Sequence, residues 1–189
     1  METILSICLG IGLAASVGFR VFLPLFVLSL AANFGKFDLN ESWLWIGSTS
    51  AVIVLGIATL VEIIAYYIPV VDNLLDTVAI PLATLAGTAV MVSTVTDLSP
   101  LVTWALAIIA GGGTAATVKS TASATRLGST VSTAGFGNPL VSTLETGTSM
   151  VMSIVSIFLP VLAIILVIFI LSIVYKLYKK LKPNKSKSS

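Results

Sequence analysis

The chain has 189 residues, of which 57% are hydrophobic and 10% charged, with a formal net charge of +2 and a mean hydropathy of +1.09. Because soluble domains carry about 25% charged residues, this composition excludes an ordinary soluble domain and predicts a polytopic helical membrane protein. The apolar runs are continuous rather than alternating, which excludes a membrane β-barrel. No histidine is present, so the commonest general base and metal ligand is missing.

The first membrane segment is predicted over residues 3–17, where glycine, alanine and serine allow neighbouring helices to approach closely. The chain's single cysteine, Cys8, lies here and is predicted to be a small packed residue. Arg20 follows, and residues 21–33 form a second apolar run. A cation between two apolar runs marks either a tight turn at the membrane interface or the wall of a cavity, and the sequence leaves both open.

A third membrane segment is predicted as one helix over residues 43–67, with Ser42 as its N-cap. Thr59, Glu62 and Tyr66 fall on one face of this helix. A carboxylate at membrane depth costs several kcal/mol unless it is paired, protonated or hydrated, so Glu62 is a candidate functional residue. The alternative is that the helix ends early and that Glu62 lies near the lipid headgroups.

Two breaks are predicted in the middle of the chain. Residues 70–76 are expected to form a turn that carries Asp72 and Asp76, before a further segment over residues 77–95. Glycines 111–113 are expected to break or loosen a later apolar run. Since non-helical backbone at membrane depth is tolerated only where it lines a cavity or is buried in protein, the glycines indicate such a place.

A polar stretch follows the glycines and differs from everything around it. Residues 114–133 include ten serines and threonines and two cations, with almost no bulky side chain. If the stretch is helical, Lys119, Ser123, Arg126 and Thr130 share one face. Such a face suits the wall of a water-filled cavity or a seam packed closely against another helix. A cytoplasmic loop is the alternative.

The last part of the chain is predicted to be a helical hairpin. Residues 135–139 have the composition of a turn. Pro160 then divides a long apolar run into residues 142–158 and 160–178. Glu145 lies near the start of the first of these helices, where it could either interact with the helix N-terminus or contribute to a pathway.

These elements predict an all-α fold, a transmembrane bundle of about six to seven membrane segments with broken helices. Residues 1–178 form the transmembrane domain, and residues 179–189 form a basic, disordered tail. The lysines of the tail predict a cytoplasmic C-terminus, and counting segments back from it places Arg20, Lys119 and Arg126 on the cytoplasmic side. A bacterial inner membrane is the expected location.

Two segments of the sequence, about a hundred residues apart, resemble each other. GIGLAASVGFR at residues 10–20 resembles GGGTAATVKST at residues 111–121. This similarity indicates a possible repeat with halves at residues 1–97 and 98–178, a pattern found in transporters. Because the matching residues are mostly glycine and alanine, a chance match is the alternative.

Several strings resemble a family of membrane proteins, DUF4126. They are GLAASVGFRVFLPLFVLSLAANFG, VEIIAYYIPVVD, KSTASATR and GNPLVSTLE, followed by Pro160. The pattern Glu-x-x-Ala-Asp-Lys-x-Pro-x-x-Asp of that family is matched at Glu62, Ala65, Pro69 and Asp72. Tyr66 and Tyr67 stand where the pattern has an acid and a lysine, so an ion pair between these two positions is absent here. Further positions that resemble the family pattern are Lys119, Arg126, Asn138, Ser142 and Glu145. The resemblance implies an architecture and candidate residues, and no activity.

The leading functional hypothesis is a small transporter or channel that moves a small anionic or zwitterionic solute through a charged cavity. The candidate binding or pathway residues are Arg20, Glu62, Tyr66, Lys119, Ser123, Arg126, Asn138 and Glu145. The alternative is a lipid-binding or assembly scaffold without a translocation path, and an enzyme is disfavoured because histidine is absent. Neither a cofactor nor a metal nor a nucleic acid is expected. The expected partners are membrane lipids and a small anionic solute or lipid headgroup, and a homo-oligomer stays open.

Overall fold

The computed structural model describes residues 2–36 and 39–181. Within these two ranges the protein is helical and contains no strand, as the sequence predicts. The eight α-helices of the described ranges are α1 (Glu2–Phe19), α2 (Phe22–Asn33), α3 (Thr49–Ala65), α4 (Pro69–Thr94), α5 (Pro100–Leu106), α6 (Gly113–Thr133), α7 (Asn138–Phe158) and α8 (Pro160–Leu181). A 3₁₀-helix at Glu41–Gly47 precedes α3, and a π-helical segment at Ala107–Gly112 joins α5 to α6.

Helix α1 lies in the middle of the bundle, where it packs against α4, α6, α7 and α8. Its small residues permit this close packing. A Cβ atom added to Gly12 would lie 2.4 Å from Ser156 Oγ, and one added to Gly18 would lie 2.5 Å from Val118 Cβ. The glycine-rich first segment therefore serves helix packing.

The sequence predicts six to seven membrane segments, but fewer helices of the described chain are long and apolar enough to cross a bilayer. Four helical stretches of the described chain meet this condition, and a fifth does if the bent 3₁₀-helix and α3 count as one span. The four are Glu2–Phe19, Leu74–Thr94, Pro100–Thr133 and Asn138–Phe158. Among the other apolar helices, Phe22–Asn33 has only 12 residues, which lowers the count. The set is compatible with insertion into a membrane.

The single helix predicted over residues 43–67 is wrong, because the chain bends by 65° between the 3₁₀-helix and α3. The 3₁₀-helix and α3 each have their own polar N-cap residue. The Asn40 side chain accepts a hydrogen bond from Ser42 N at 3.2 Å, and Ser48 Oγ accepts one from Ala51 N at 3.2 Å. Ser48, and not Ser42, is therefore the N-cap of α3.

The turn predicted over residues 70–76 is also wrong. Pro69 occupies the first turn of α4, where its missing N–H is no loss, and the helix continues without a break to Thr94. Asp72 and Asp76 consequently lie one helical turn apart on α4. Asp72 is only 2% exposed, so it is a buried acid of α4 and not a turn residue.

Glycines 111–113 loosen the helix without breaking it. Pro100–Thr133 is one continuous helical stretch, with π-helical geometry at Ala107–Gly112. The cytoplasmic loop considered for the polar stretch is wrong, since Gly113–Thr133 is the helix α6. A π-bulge of this kind is frequent at functional sites.

The C-terminal hairpin is confirmed. The chain leaves helical geometry at Leu159, before Pro160, and α8 folds back along α7 so that Met152 clusters with Val167. Helix α8 extends to Leu181, so the beginning of the tail predicted to be disordered is helical. The remainder of that predicted tail, residues 182–189, lies outside the described residues.

The internal repeat receives no support from the structure. Residues 10–20 run to the end of α1 and into the break after it. Residues 111–121 lie within a helical stretch that continues to Thr133. The glycines and alanines shared by the two strings reflect a common need for close packing, since the two strings pack against each other where Gly18 meets Val118.

Substitutions at two neighbouring glycines test the packing of α4 against the π-helical segment. A Cβ atom on Gly111 would lie 2.6 Å from Gly87 O, whereas one on Gly113 would have no neighbour within 4 Å. We expect Gly111→Ala to destabilise the protein by about 1–3 kcal/mol through overpacking. Gly113→Ala should stabilise it by about 0.4–1 kcal/mol by reducing the freedom of the unfolded chain. Thermal unfolding in detergent checks both, and shifts of the same sign would contradict the packing described.

Candidate functional site

Tyr66, the residue that ends α3, is surrounded by cations from two other parts of the chain. The guanidinium carbon of Arg20 lies 4.2 Å from the centroid of its ring, and that of Arg126 lies 4.1 Å away. Lys119 Nζ donates a hydrogen bond of 3.0 Å to the Tyr66 hydroxyl. Arg20 belongs to the break between α1 and α2, and the other two cations project from the same face of α6, as their spacing predicts. The four side chains are buried.

Arg126 ties three helices together through two buried acids. Its Nη1 binds Asp72 Oδ1 on α4, and its Nη2 binds Glu145 Oε2 on α7. Its Nε also donates to Glu145 Oε1 at 3.0 Å. The contact to Glu145 is a bidentate, charge-assisted pair, the strongest class of side-chain hydrogen bonding. The negative charge of Glu145 is therefore paired with Arg126. An interaction of Glu145 with the N-terminus of α7, the other role considered for it, is not needed to stabilise this charge.

Glu62 holds the start of α2. One carboxylate oxygen accepts a hydrogen bond from Val21 N at 2.8 Å, and the other accepts one from Phe22 N at 2.9 Å. These two N–H groups have no partner within α2 because they lie at its N-terminus, where a negative charge is also favourable. Glu62 lies in the last turn of α3 and is 7% exposed, so its carboxylate is buried among the helices.

Arg20 is both a turn residue and a buried one. Its Nη2 donates to Ser142 O at 2.9 Å and to Ser142 Oγ at 2.5 Å, and its Nε donates to Thr146 Oγ1 at 3.0 Å. Its Nη1 has no hydrogen-bond partner. Of the two roles left open for this cation, the structure places its side chain inside the bundle, against α7 and Tyr66.

Of the remaining two predicted site residues, Asn138 is hydrogen-bonded to one of the charged residues and Ser123 is not. Asn138 Nδ2 donates to Asp72 Oδ2 at 3.3 Å and to Thr130 Oγ1 at 3.0 Å, which joins it to the Arg126 pairs. Ser123 Oγ is buried and makes no hydrogen bond. Ser123 shares the inward face of α6 with Lys119 and Arg126 without touching the other candidates through hydrogen bonds.

We call the charged side chains and the tyrosine the Tyr66 cluster: Arg20, Glu62, Tyr66, Asp72, Lys119, Arg126 and Glu145. It holds three cations and three carboxylates. Among the described residues only Arg126 forms salt bridges, so Arg20 and Lys119 are buried without a carboxylate in contact. No group of three or more acids and cysteines in the described chain could hold a metal ion.

The range matched by the family model covers all the residues of this cluster. Residues 7–180 match the model described as Domain of unknown function (DUF4126). The chain belongs to the DUF4126 family. No curated protein and no solved structure matches it. The family assignment thus confirms the resemblance noted in the sequence.

Tyr66 and Tyr67 are the positions at which this DUF4126 chain departs from the acid and lysine of the family pattern. The ring of Tyr66 contacts three cations, and such cation–π contacts attract positive charge to the negative face of the ring. Tyr67 points elsewhere, and its hydroxyl lies 2.8 Å from Thr143 Oγ1. A neutral aromatic ring therefore lies among the three cations of this cluster.

The sequence analysis missed Asp72, Asp76, Ser142 and Thr146 as site residues. The predicted turn over residues 70–76 put the two acids outside a helix, whereas Pro69 lies in the first turn of α4, a position that suits proline. The match of Asp72 to the family pattern was the signal that could have corrected this. Ser142 also lies at a position that resembles the family pattern. Thr146, on α7, does not, and no signal in the sequence indicated it.

A groove lies beside the Tyr66 cluster, between α6, α7 and α8. Its volume is about 210 Å³, and its walls are mainly apolar, with Val118, Leu144, Ile170 and Val174 among the lining residues. Glu145 also lines it, so the groove reaches the edge of the cluster. Its size and apolar walls suit part of a lipid acyl chain.

Proposed function

We propose that this DUF4126 chain is an integral membrane transporter or channel that moves a small anionic or zwitterionic solute past the Tyr66 cluster. The observation that carries the proposal is the burial of Arg20 and Lys119 without a carboxylate in contact, inside a bundle of apolar helices. We also propose that the protein acts without catalysis or a cofactor. A bacterial inner membrane and a cytoplasmic C-terminus stay predictions.

The cost of such a cluster argues for a function. Replacing buried ion pairs by well-packed apolar residues is often neutral or stabilising by about 1–4 kcal/mol, so structural stability alone does not explain why the charges are kept. Ionisable residues inside a membrane protein by default indicate an ion or solute pathway. The inward polar face of α6, with Lys119, Ser123 and Arg126, supports the same interpretation.

The mechanism that we propose uses the cations as the attracting groups. Arg20 directly precedes α2, whose N-terminal N–H groups donate to Glu62, and Lys119 donates to the Tyr66 hydroxyl. An arriving carboxylate or other anion would bind these two cations, neither of which forms a salt bridge with a described carboxylate. Release of the solute would return the two cations to the contacts seen in the structure.

Flux into proteoliposomes tests the proposal. The purified full chain is reconstituted, and uptake of chloride, acetate, phosphate and glycine is measured for the natural chain, Lys119→Met and Lys36→Met. Lys36 is exposed in the turn after α2 and serves as the matched control for loss of one lysine. We expect uptake of at least one solute, a loss of tenfold or more in Lys119→Met, and no change in Lys36→Met. Equal flux in all three proteins and in empty liposomes would contradict the proposal.

A second candidate, a lipid-binding scaffold without a translocation path, is favoured by the groove between α6, α7 and α8. An acyl chain in this groove would reach Glu145 at the edge of the Tyr66 cluster. Ala122 lines the groove, so the larger side chain in Ala122→Trp should fill part of its volume. Native mass spectrometry of the natural chain should then show a retained lipid that Ala122→Trp loses, and absence of lipid from both would exclude this candidate.

A further inference from the structure

We propose that the solute is a net-neutral zwitterion of the amino-acid type, whose carboxylate binds Arg20 and whose ammonium group binds Asp76. This inference rests on the proposed transport function and names its substrate class. It starts from three buried polar atoms without a partner in the described part of the chain, which are Arg20 Nη1, Ser123 Oγ and Asp76 Oδ1.

The three atoms have complementary chemistry. Arg20 Nη1 is a charged donor, Asp76 Oδ1 is an acceptor on an acid, and a serine hydroxyl can act in either way. Buried polar atoms of native proteins nearly always have a partner, and those that lack one need an explanation such as a ligand or water. A solute that carries both a carboxylate and an ammonium group would satisfy the arginine and the aspartate together.

The three atoms also belong to residues next to members of the Tyr66 cluster. Arg20 stacks on Tyr66, and Ser123 lies one turn after Lys119, whose ammonium group binds the Tyr66 hydroxyl. Asp76 follows Asp72, which binds Arg126, by one turn of α4. The three residues come from three different elements, so a small solute bound among them would join these elements.

The charge of the Tyr66 cluster decides between an anion and a zwitterion. Its three cations are already matched by three carboxylates, and Asp76 adds a fourth acid beside them. A bare anion would add negative charge to a buried site that has no excess of cations, and it would leave the Asp76 oxygen without a donor. A net-neutral solute avoids both penalties. The outer end of the site is the Asp76 end, because Asp76 is half-buried whereas Arg20 is completely buried.

Binding to the purified full chain in detergent tests this inference without any flux measurement. Three zwitterions of increasing length are used (glycine, β-alanine and γ-aminobutyrate), with acetate and methylammonium as half-molecules at the same ionic strength. We expect at least one zwitterion to raise the unfolding temperature by a few degrees. Acetate and methylammonium should leave it unchanged.

Variants on α6 and α4 connect the binding to the site. Ser123→Ala removes only an unpartnered hydroxyl and should keep the fold while weakening zwitterion binding by about tenfold. Ser120→Ala, an exposed serine on the same helix whose hydroxyl bonds to Ala116 O, is the matched control and should bind normally. Asp76→Asn should abolish the preference for zwitterions over acetate.

Two results would overturn the inference. One is acetate binding as tightly as the zwitterions, which indicates an anion site, and the other is the absence of any stabilisation by the three zwitterions. In either case flux of acetate, chloride or phosphate that depends on Lys119 would leave the proposed transport function standing. Failure of the inference and failure of the function are therefore distinguishable.

Discussion

Replacement of Arg126 by methionine should lower the free energy of unfolding by about 3–5 kcal/mol, because it leaves two buried carboxylates without their cation. Asp72 is 2% exposed and Glu145 is 5% exposed, so water cannot easily replace the lost pairs. For a chain of this length the loss corresponds to a decrease on the order of 10 °C in the unfolding temperature. Thermal unfolding of the purified protein in detergent measures it.

Neutralising the acids at the same time provides the control. The triple variant Arg126→Met, Asp72→Asn, Glu145→Gln leaves no carboxylate at positions 72 and 145 to be buried without its cation, and it should recover much of the stability that Arg126→Met loses. Asn138, which donates to Asp72 Oδ2, can still bond to the asparagine oxygen. A single variant as stable as the natural chain would show that Arg126 is not the buried link between α4 and α7.

Replacement of Glu62 by leucine should cost about 2–5 kcal/mol, because it leaves Val21 N and Phe22 N without an acceptor at the start of α2. Glu62→Gln keeps one oxygen acceptor and should lose about half as much. Hydrogen exchange localises the effect, since the amides of these two residues should exchange faster in Glu62→Leu while those in the middle of α4 are unchanged. Unaltered protection of the two amides would contradict the cap that Glu62 forms.

The local spacing of residues made part of the site predictable. The positions of Lys119, Ser123 and Arg126 on one helical face follow from the 3.6-residue period alone. The same period placed Glu62 and Tyr66 together on α3. Of the alternatives that the sequence left open for the charged side chains, the structure has the buried one, with Arg20, Glu62 and Lys119 among those inside the bundle.

The pairing of these residues was not predictable from one sequence. Nothing local connects Arg126 to Asp72, 54 residues away, or Arg20 to Ser142, 122 residues away. Proline was ambiguous as well, because Pro69 and Pro160 each follow a short break and begin a helix, whereas the sequence predicted a helix start only at Pro160. The number of membrane segments was overestimated because hydrophobicity does not distinguish a short buried helix such as α2 from a crossing one.

Water access to the inner face of α6 tests the central claim most directly, namely that the Tyr66 cluster lies on a solute pathway. In a Cys8→Ala background, Ser123→Cys introduces one thiol at a half-buried serine whose Oγ is buried, and Ser153→Cys introduces one at a buried serine of α7 that bonds to Ser149 O. A small membrane-impermeant methanethiosulfonate is then added to proteoliposomes. The account predicts modification at position 123, slowed by bound solute, and none at position 153. Equal protection of both thiols would contradict it, because the cluster would then be sealed from water on every side.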